Sequence, residues 1–310
     1  MLSPAMITHF VWMEGTMVPA AEATVPFLTS GFHYGIGVFE GIRAYSTARG
    51  PAVFRLRDHL ERLHGSCHIL GFKELPYSVD QLMTATVETV AKNGFDECYI
   101  RPFVWLGDGG WNLTLDSGKP KLGIGVWQQS VYLGDEARSR GLRACVSPFL
   151  RHHPAAMMTK AKVSGNYVNS VMAKTDAQRG GFDEAILLDP DGYLTECTGA
   201  NLFLVRGGRI VTPSTEAILE GITRTTVMTL ARELGLEVVE TRASRDHLYV
   251  SDEVFFCGTA AEVLGVTEID HRKIGTGQVG PVTQKLQAAY REVVHGKNPK
   301  HDDWLTYVTP

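Results

Sequence analysis

The sequence lacks the features that would place it in several specialised classes of protein. Its five cysteines are odd in number and form no Cys-x-x-Cys pair, so neither a disulfide framework nor a zinc site is expected. It contains no apolar run of membrane-spanning length, and Met1–Glu14 has neither a basic leader segment nor a cleavage-like site. A net charge of −4 gives no electrostatic reason to expect nucleic acid as a partner. We therefore expect a cytoplasmic enzyme with no membrane or nucleic-acid partner.

Familiar nucleotide-binding and hydrolase motifs are also missing. The sequence has no Walker A, Gly-x-Ser-x-Gly or His-Glu-x-x-His pattern. Phe32–Arg43 superficially resembles a dinucleotide-binding fingerprint, but its glycine spacing is too long and no βαβ pattern follows. His64 and His68 have the i, i+4 spacing of zinc ligands on a predicted helix. With no third ligand placed, a solvated helix face is the better interpretation, and we expect no metal site.

Length and composition favour a globular enzyme with two domains. The chain has 310 residues, of which 44% are hydrophobic and 21% charged, so sizeable cores can form. Hairpin patterns are more evident than βαβ units, which predicts an α+β fold with a mixed, largely antiparallel sheet and helices in each half. We place a small N-terminal domain at 1–127, an interdomain linker at 128–139 and a large C-terminal domain at 140–310.

Local signals predict most of the helices and strands. Ser78-Val-Asp-Gln81 forms a capping box, which predicts a helix that ends near Gly94. Apolar residues at helical spacing predict further helices over 57–70, 166–179, 223–234 and 281–294. Short apolar runs bounded by turn residues predict strands over 10–13, 16–18, 42–45, 52–54, 98–106, 122–127, 142–147, 185–188, 193–196, 202–205, 210–211, 238–239 and 253–256.

Lys162 is the residue best suited to covalent chemistry. It lies in Thr159-Lys-Ala-Lys-Val-Ser-Gly-Asn-Tyr167, where small residues interleave with Lys160 and Lys162. An amine that attacks a carbonyl must lose its proton, so a partly desolvated setting of small residues favours this role. In an extended segment both lysines would point to the same face. Spacing alone leaves a solvated basic strand end as the alternative.

Three turns downstream of the lysine offer complementary groups. Glu196 begins Glu196-Cys-Thr-Gly-Ala-Asn201, and a carboxylate can keep a pyridinium nitrogen protonated. Gly221-Ile-Thr-Arg224 precedes a predicted helix, and Gly258-Thr-Ala-Ala-Glu262 is a second small-residue turn, so both can offer backbone N–H groups to a phosphate. Each turn alone is a weak signal, because a carboxylate is common at the surface and Gly-Thr is common at helix starts.

The order of these segments resembles the fold-type IV, or class IV, pyridoxal phosphate enzymes, and most closely the branched-chain amino-acid aminotransferases, over residues 10–290. Lys162-Val-Ser-Gly-Asn-Tyr167 is similar to the family's lysine–glycine–asparagine–tyrosine segment. The resemblance implies that Lys162 forms a Schiff base with pyridoxal 5′-phosphate and that Tyr167 hydrogen-bonds the ring hydroxyl. It also implies that Glu196 lies under the pyridine nitrogen and that Arg62 contacts the phosphate. The other cofactor-binding residues that it implies are Gly199, Leu219, Gly221, Ile222, Thr223, Gly258 and Thr259.

The most specific part of the resemblance is Phe32-His-Tyr-Gly-Ile-Gly-Val-Phe-Glu-Gly-Ile-Arg43. It is similar to the family's His-Tyr-Gly-x-x-Val-Phe-Glu-Gly-Ile-Arg segment, in which the small domain contributes to the substrate pocket. Tyr99-Ile-Arg101 matches the Tyr-x-Arg pair of branched-chain members. The substrate-contacting residues implied are Tyr34, Phe39, Gly41, Tyr99, Arg101, Tyr132 and Ala260.

The reaction implied by the resemblance is a ping-pong transfer of an amino group between L-leucine, L-isoleucine or L-valine and 2-oxoglutarate. Phe39 and Tyr132 suit an apolar side chain, whereas Arg101 or backbone N–H groups suit a carboxylate. In such families the site lies between the domains and is completed by the other protomer. The resemblance therefore implies self-association, as a homodimer or a trimer of dimers.

Some positions depart from the family pattern. Ala200 replaces the second glutamate of Glu-Gly-x-Gly-Glu-Asn. Gln129 stands where many members carry an aromatic residue, and Gly110-Trp-Asn-Leu113 replaces a glycine–valine–asparagine run, which implies broadened or altered specificity. Rival interpretations are an aminodeoxychorismate lyase, a D-amino-acid or (R)-amine transaminase of the same fold, and a non-catalytic cofactor-binding protein. Tyr99-Ile-Arg101 and the chain length argue against the lyase.

Overall fold

A computed structural model describes residues 8–109, 112–128 and 138–308 of the protein, except for the side chain of residue 108. The chain divides into two compact units. Unit 1 comprises the described parts of Met1–Ser130 and Val293–Pro310 together with Ala161–Gly165. Unit 2 comprises the described part of Val131–Lys160 together with Asn166–Glu292. Most of the predicted linker at 128–139 lies outside the described residues.

Helices and strands occur in both units. The helices are α1 (Ser30–Tyr34), α2 (Leu56–Leu70), α3 (Val79–Asn93), α4 (Tyr167–Arg179), α5 (Ile222–Glu233), α6 (Asp246–Tyr249) and α7 (Pro281–Val294). Short 3-10 helices lie at Ala20–Glu22, Leu115–Ser117, Ser164–Asn166, Thr215–Ala217 and Pro299–Trp304. The strands are β1 (Phe10–Met13), β2 (Thr16–Pro19), β3 (Gly37–Phe39), β4 (Ile42–Thr47), β5 (Gly50–Phe54), β6 (Cys98–Gly109), β7 (Gly118–Trp127), β8 (Leu142–Val146), β9 (Glu184–Leu188), β10 (Leu194–Cys197), β11 (Asn201–Arg206), β12 (Arg209–Thr212), β13 (Val238–Glu240), β14 (Glu253–Gly258), β15 (Glu262–Ile269), β16 (Arg272–Lys273) and β17 (Leu305–Tyr307).

Strong local signals predict element ends well. At the start of α3, the side chain of Ser78 accepts from the backbone N–H of Gln81, and the side chain of Gln81 accepts from the N–H of Ser78. The helix ends at Gly94, which adopts a left-handed conformation with φ of 69°. The capping box is therefore confirmed. The elements that the sequence patterns do not predict are α1, β3, α6, β15, β16 and β17.

The sheet of unit 1 is antiparallel, with strand order β17-β5-β4-β6-β7-β1-β2 and with β3 paired to β6. Its side chains alternate between two faces. Ile100 and Val104 of β6 are fully buried in one core cluster with Leu60 of α2 and Leu82 of α3. The odd-numbered residues of β6 lie on the opposite face, which is therefore available for polar and aromatic groups.

Two distant segments of the chain belong to unit 1. The 161–165 segment lies along β3, because Phe39 N–H donates to the carbonyl of Lys162 at 3.1 Å and Val38 forms a β-bridge with Val163. Strand β17 pairs antiparallel with β5, with Thr306 opposite Val53. The C-terminal domain that the sequence predicts at 140–310 includes both segments, since neither carries a local signal of its long-range partner.

The sheet of unit 2 is mixed. Its strand order is β10-β9-β8-β15-β14-β11-β12-β13, with β16 beside β15. The pairs β8–β9, β8–β15 and β12–β13 are parallel, and the other pairs are antiparallel. Strands and helices in both units confirm the α+β prediction. In the described part of the chain, no helix has the length and apolar composition needed to cross a membrane.

Candidate active site

Glu196 lies near the end of β10, opposite Asn201 at the start of β11. The residue is 6% exposed. Nη2 of Arg151 lies 2.8 Å from Oε1, and Nδ2 of Asn201 donates to Oε2 at 3.1 Å. The backbone N–H of Leu219 lies 3.3 Å from both carboxylate oxygens. The arginine pairs with the charged form of the carboxylate, and the neutral donors fix its orientation.

Arg151 is a site residue that the sequence patterns do not indicate. Besides Glu196, its guanidinium contacts Nδ1 of His152 at 3.4 Å. Burial and the neighbouring Arg151 lower the pKa of His152 to about 4, so this imidazole is neutral at neutral pH. The run Arg151-His152-His153 after β8 is the only local signal of a charged group here. It does not identify the partner of Arg151, because Glu196 lies in a strand far along the chain.

The turn before α5 has the form of an anion site. Gly221 precedes the helix, has an extended backbone and provides no side-chain cap. A Cβ at this position would lie 2.0 Å from Oδ1 of Asn201, so the close approach of that amide requires glycine. Thr223, in the first turn, is buried. The uncapped N–H groups at the positive end of α5 are suited to bind a phosphate.

A second glycine turn joins β14 to β15 and contains Thr259 and Ala260. A Cβ at Gly258 would lie 3.2 Å from the carbonyl oxygen of Gly199, so this turn lies beside the β10–β11 turn that contains Gly199. A Cβ at Gly199 would meet no atom within 4 Å, which shows open space at the mouth of these turns. Ala200, the departure from the family pattern, stands beside this opening. The space can admit a ligand above β10.

Lys162 lies in unit 1, on the segment that runs along β3. Its backbone N–H donates to Oγ of Ser66 in α2 at 3.1 Å. Its Nζ lies 4.9 Å from the centre of the Phe39 ring. Backbone contacts on both sides therefore fix the lysine, while its amine lies over an apolar ring.

Lys160 has different surroundings, in unit 2. Its Nζ donates to the carbonyl oxygens of Thr215 and Ile218, the latter at 3.2 Å, and lies 3.8 Å from a carboxylate oxygen of Glu220. These contacts join the 160 region to the chain before α5. Lys160 is thus engaged in structural hydrogen bonds. The two lysines, which their spacing in the sequence does not distinguish, therefore differ in their surroundings.

Arg62 is held by a buried carboxylate. Its Nε and Nη2 lie 2.7 and 2.8 Å from the two carboxylate oxygens of Glu40, which is fully buried. His59 contacts Oε2 of the same carboxylate through Nδ1 at 2.7 Å. Burial would raise the pKa of Glu40, but Arg62 and His59 outweigh it and hold the pKa well below its usual range. Burial, partly opposed by Glu40, lowers the pKa of His59. The group therefore consists of a carboxylate, a guanidinium and a neutral imidazole that donates to the carboxylate.

The predicted substrate residues of unit 1 lie on or beside its sheet. The guanidinium of Arg101 lies 4.4 Å from the centre of the Phe39 ring and donates to the hydroxyl of Tyr99 at 3.2 Å. A Cβ at Gly41 would lie 1.9 Å from that hydroxyl, so glycine is needed there. Tyr34 ends α1 and is exposed. Tyr132, Gln129 and Trp111 lie outside the described residues.

Each unit contains groups whose chemistry fits pyridoxal phosphate. In unit 2, the Glu196 carboxylate suits a ring nitrogen, and the turns at Gly221 and Gly258 suit a phosphate. Leu219, Ile222 and Thr259 lie in or next to these turns, and Tyr167 is the first residue of α4. In unit 1, the Lys162 amine suits an aldehyde and the Arg62 guanidinium suits a phosphate. In the described ranges, no group of three or more His, Cys, Asp or Glu side chains could hold a metal ion.

Comparisons with known proteins identify close relatives along almost the whole chain. The protein-family model described as amino-transferase class IV matches residues 37–269. A branched-chain-amino-acid aminotransferase of Pseudomonas aeruginosa strain PAO1 is 46% identical over 96% of this chain and 97% of its own length. The structure of a T.th. branched-chain amino acid aminotransferase with pyridoxamine 5′-phosphate has a TM-score of 0.95 at 45% identity, covering 98% of this chain and 99% of that chain. Its complex with N-(5′-phosphopyridoxyl)-L-glutamate has a TM-score of 0.94 at 44% identity, covering 98% and 99% of the two chains.

Proposed function

We propose that this protein exchanges amino groups between L-leucine, L-isoleucine or L-valine and 2-oxoglutarate. The chain belongs to the class IV aminotransferase family and, within it, to the branched-chain amino-acid aminotransferases. The observation that carries this proposal is the buried Glu196 carboxylate, held by Arg151 and Asn201 beside two glycine turns. A structural relative in complex with N-(5′-phosphopyridoxyl)-L-glutamate supports glutamate and 2-oxoglutarate as the second substrate pair.

The cofactor of the proposed reaction is pyridoxal 5′-phosphate. When bound, it supplies an aldehyde that takes up the amino group and a ring that accepts the electron pair released at the substrate Cα. Glu196 holds a proton at the ring nitrogen, and Tyr167 donates to the ring hydroxyl. The N–H groups of the turns at Gly221 and Gly258 bind the phosphate, with Arg62 as a charged partner.

Lys162 has two roles in this proposal. With the cofactor bound, its amine would hold the aldehyde covalently until an amino acid takes its place. The freed amine would then serve as the base that takes up and returns the proton at the substrate Cα. Each amino acid leaves as its 2-oxo acid before the second oxo acid binds, so the kinetics are ping-pong. The apolar Phe39 ring beneath the amine limits its contact with water.

The substrate pocket needs apolar walls and a group for a carboxylate. Phe39 and Tyr99 supply aromatic surface on the face of the unit 1 sheet that carries the odd-numbered residues of β6. The other proposed substrate-contacting residues are Tyr34, Gly41, Tyr132 and Ala260. Arg101 is the cation for a substrate carboxylate, since its guanidinium lies among aromatic rings. Because Gln129 replaces an aromatic residue, we expect tolerance of larger or more polar substrates.

Self-association is part of the proposal, as a homodimer or a trimer of dimers in the cytoplasm. In unit 1, Phe27, Leu28 and Phe32 are exposed large apolar side chains close together in the chain. On α4 of unit 2, Val168, Val171 and Met172 are exposed at the spacing of one helix face. Such surfaces favour burial against another protein. Sedimentation of the purified protein measures whether a second copy provides that burial.

The decisive experiment compares two lysine variants. Lys162→Ala should keep the fold but lose the visible absorbance of the bound cofactor's covalent form and all turnover of L-leucine with 2-oxoglutarate. Lys160→Ala is the matched control, because it removes the same group two residues away, and it should retain both signals. Peptide mapping after borohydride reduction identifies the modified lysine. Cofactor found on Lys160 would refute the assignment, and a preference for D-amino acids or (R)-amines over L-leucine would refute the proposed substrate class.

A further inference from the structure

Glu262 has an unusual backbone conformation for a residue with a side chain. Its φ is 55°, in the left-handed region that glycine adopts readily and that most other residues adopt only at a cost. It ends the turn between β14 and β15, where it is paired with Gly258 across the hairpin. Glycine would meet the backbone requirement at this position without strain. The glutamate therefore points to a role of its side chain.

The side chain of Glu262 is buried and ion-paired. Its Oε2 accepts from Nη2 of Arg138, which lies 124 residues earlier in the chain, before β8. The side chain of Arg138 is itself only 12% exposed. Removal of either partner from such a pair takes away a counter-charge that the other has in a setting poor in water. The ion pair therefore ties the end of the turn to the chain before β8.

The turn has an anchored half and an open half. Ala261 is buried in the hydrophobic core cluster of unit 2, and the buried Glu262 follows it. The preceding residues, 258–260, are partly exposed and lie beside Gly199, where a Cβ would meet no atom within 4 Å. Their backbone N–H groups are the ones that a ligand in this space can reach. Because the two halves are consecutive in the chain, the geometry of 258–260 depends on how residues 261 and 262 are held.

The other end of β15 provides a contrast. His271 also has a left-handed backbone, with φ of 61°, but its side chain is 72% exposed. Asp270 and His271 form a two-residue hairpin turn to β16, in which positive φ values are required at both positions. At His271 the conformation serves the turn itself, whereas at Glu262 it accompanies a buried ion pair.

We propose that Glu262 is a positioning residue, which through its ion pair with Arg138 holds the 258–260 backbone in the conformation that binds an anionic group of a ligand. This role rests on the proposed aminotransferase function, in which the turn contacts the cofactor through Thr259 and the substrate through Ala260. The anion is the phosphate of pyridoxal phosphate or the carboxylate of the substrate. Glu262 and Arg138 act on either one through the backbone of the turn.

The test uses enzyme loaded with pyridoxal phosphate and a double variant that combines Arg138→Met with Glu262→Gly. The double variant removes both charges of the pair, so neither remains buried alone, and glycine removes the strain at position 262. Its urea midpoint should therefore stay close to that of the parent. Either the rate of cofactor release, followed by the loss of visible absorbance on dilution, or the Kd of the unreactive monocarboxylate 4-methylvalerate should rise about tenfold. The first result identifies the phosphate as the anion, and the second identifies the carboxylate.

His271→Gly is the matched control, because it relieves the same backbone strain at the other end of β15 and leaves the ion pair intact. Both values should stay at the parental level. Glu262→Gln and Arg138→Met should each raise the affected value, and their combination should raise it no further than the larger single change, because both break one contact. Arg138→Lys retains the positive charge and should recover most of the loss seen in Arg138→Met.

Parental values of both quantities in the double variant would overturn the role of Glu262, as would an equal effect of His271→Gly. If the double variant does not fold, Glu262→Gln decides by the same two quantities. A parent that binds pyridoxal phosphate and converts L-leucine, with variants that match it, would overturn this role alone. A parent that forms no complex with pyridoxal phosphate would instead refute the proposed function.

Discussion

Each unit contains a group of one glutamate, one arginine and one histidine around a buried carboxylate, but the order of contacts differs. In unit 1 the carboxylate of Glu40 is central, because both Arg62 and His59 contact it. It also accepts from the adjacent backbone N–H of Gly41 at 3.3 Å. Glu40 is thereby committed to holding Arg62 in place.

In unit 2 the arginine is central. Arg151 contacts Glu196 at 2.8 Å on one side and His152 at 3.4 Å on the other. Glu196 also accepts from the neutral Asn201 amide and, at a longer distance, from the backbone N–H of Leu219. The same three residue types can therefore build either a support or an acceptor, depending on which residue is central.

The largest effect is expected from breaking the support in unit 1. Glu40→Gln should lower the free energy of unfolding by about 3 kcal/mol, because it leaves a largely buried guanidinium without its counter-charge. Urea denaturation measures this change. Glu61→Gln, which alters an exposed carboxylate on the same helix as Arg62, should change the stability by less than about 0.5 kcal/mol. Equal stabilities of the two variants would show that Glu40 does not support the unit.

Glu196→Gln should act on catalysis more than on stability. Turnover of L-leucine should fall about a hundredfold, equivalent to about 2.7 kcal/mol in the barrier, because a neutral amide cannot keep the ring nitrogen protonated. Stability should also fall, because the buried Arg151 loses its charged partner. The loss should be smaller than in Glu40→Gln, which weakens two contacts to Arg62 and one to His59. Steady-state kinetics at saturating cofactor measure the effect, with the exposed Glu220→Gln as control. An unchanged turnover number would remove Glu196 from the mechanism.

The smallest expected effect is on the pH dependence of stability and tests the contribution of His152. Its pKa in the folded protein is about 4, below the ordinary value of 6.5, so the unfolded chain binds more protons between these values. The contribution of His152 to stability is therefore present above pH 6.5 and is lost as the pH falls towards 4. Thermal unfolding at pH 7 and pH 5 should show a smaller decrease for His152→Gln than for the parent. His153→Gln, at the exposed neighbour, should keep the parental decrease, and a parental decrease in both variants would contradict the prediction.

Local residue patterns predict those parts of the fold whose causes lie within a few residues. Ser78, Gln81 and Gly94 specify both ends of α3 by their own hydrogen bonds and backbone conformation. Strand β15 is not predicted, because Gly265 interrupts its apolar run and its parallel partner β8 lies far earlier in the sequence. Strand β17 is short and obtains its conformation from β5, so the sequence around 305–307 carries little signal of it.

The residues of the candidate site likewise divide into those that local motifs predict and those whose role depends on distant partners. Lys162, Tyr167 and Glu196 were predicted through motifs that each occupy a few consecutive residues. Arg151 was not predicted, because an arginine in a loop acquires a role only from the carboxylate that folding brings to it. Glu40 stands inside a recognised motif, but its function as the counter-charge of Arg62 depends on how a strand packs on a helix.

The pairing of β17 with β5 has a consequence for biosynthesis. A nascent chain emerges from the ribosome in order, and domains generally fold as their residues become available. The β5 edge emerges early, whereas its partner at 305–307 emerges after all of unit 2. Throughout that interval the ribosome-bound chain has the free backbone N–H and C=O groups of an unpaired strand edge, which is a template for pairing with other chains. Synthesis of 305–307 therefore supplies the strand that covers the β5 edge and protects it from pairing with other chains.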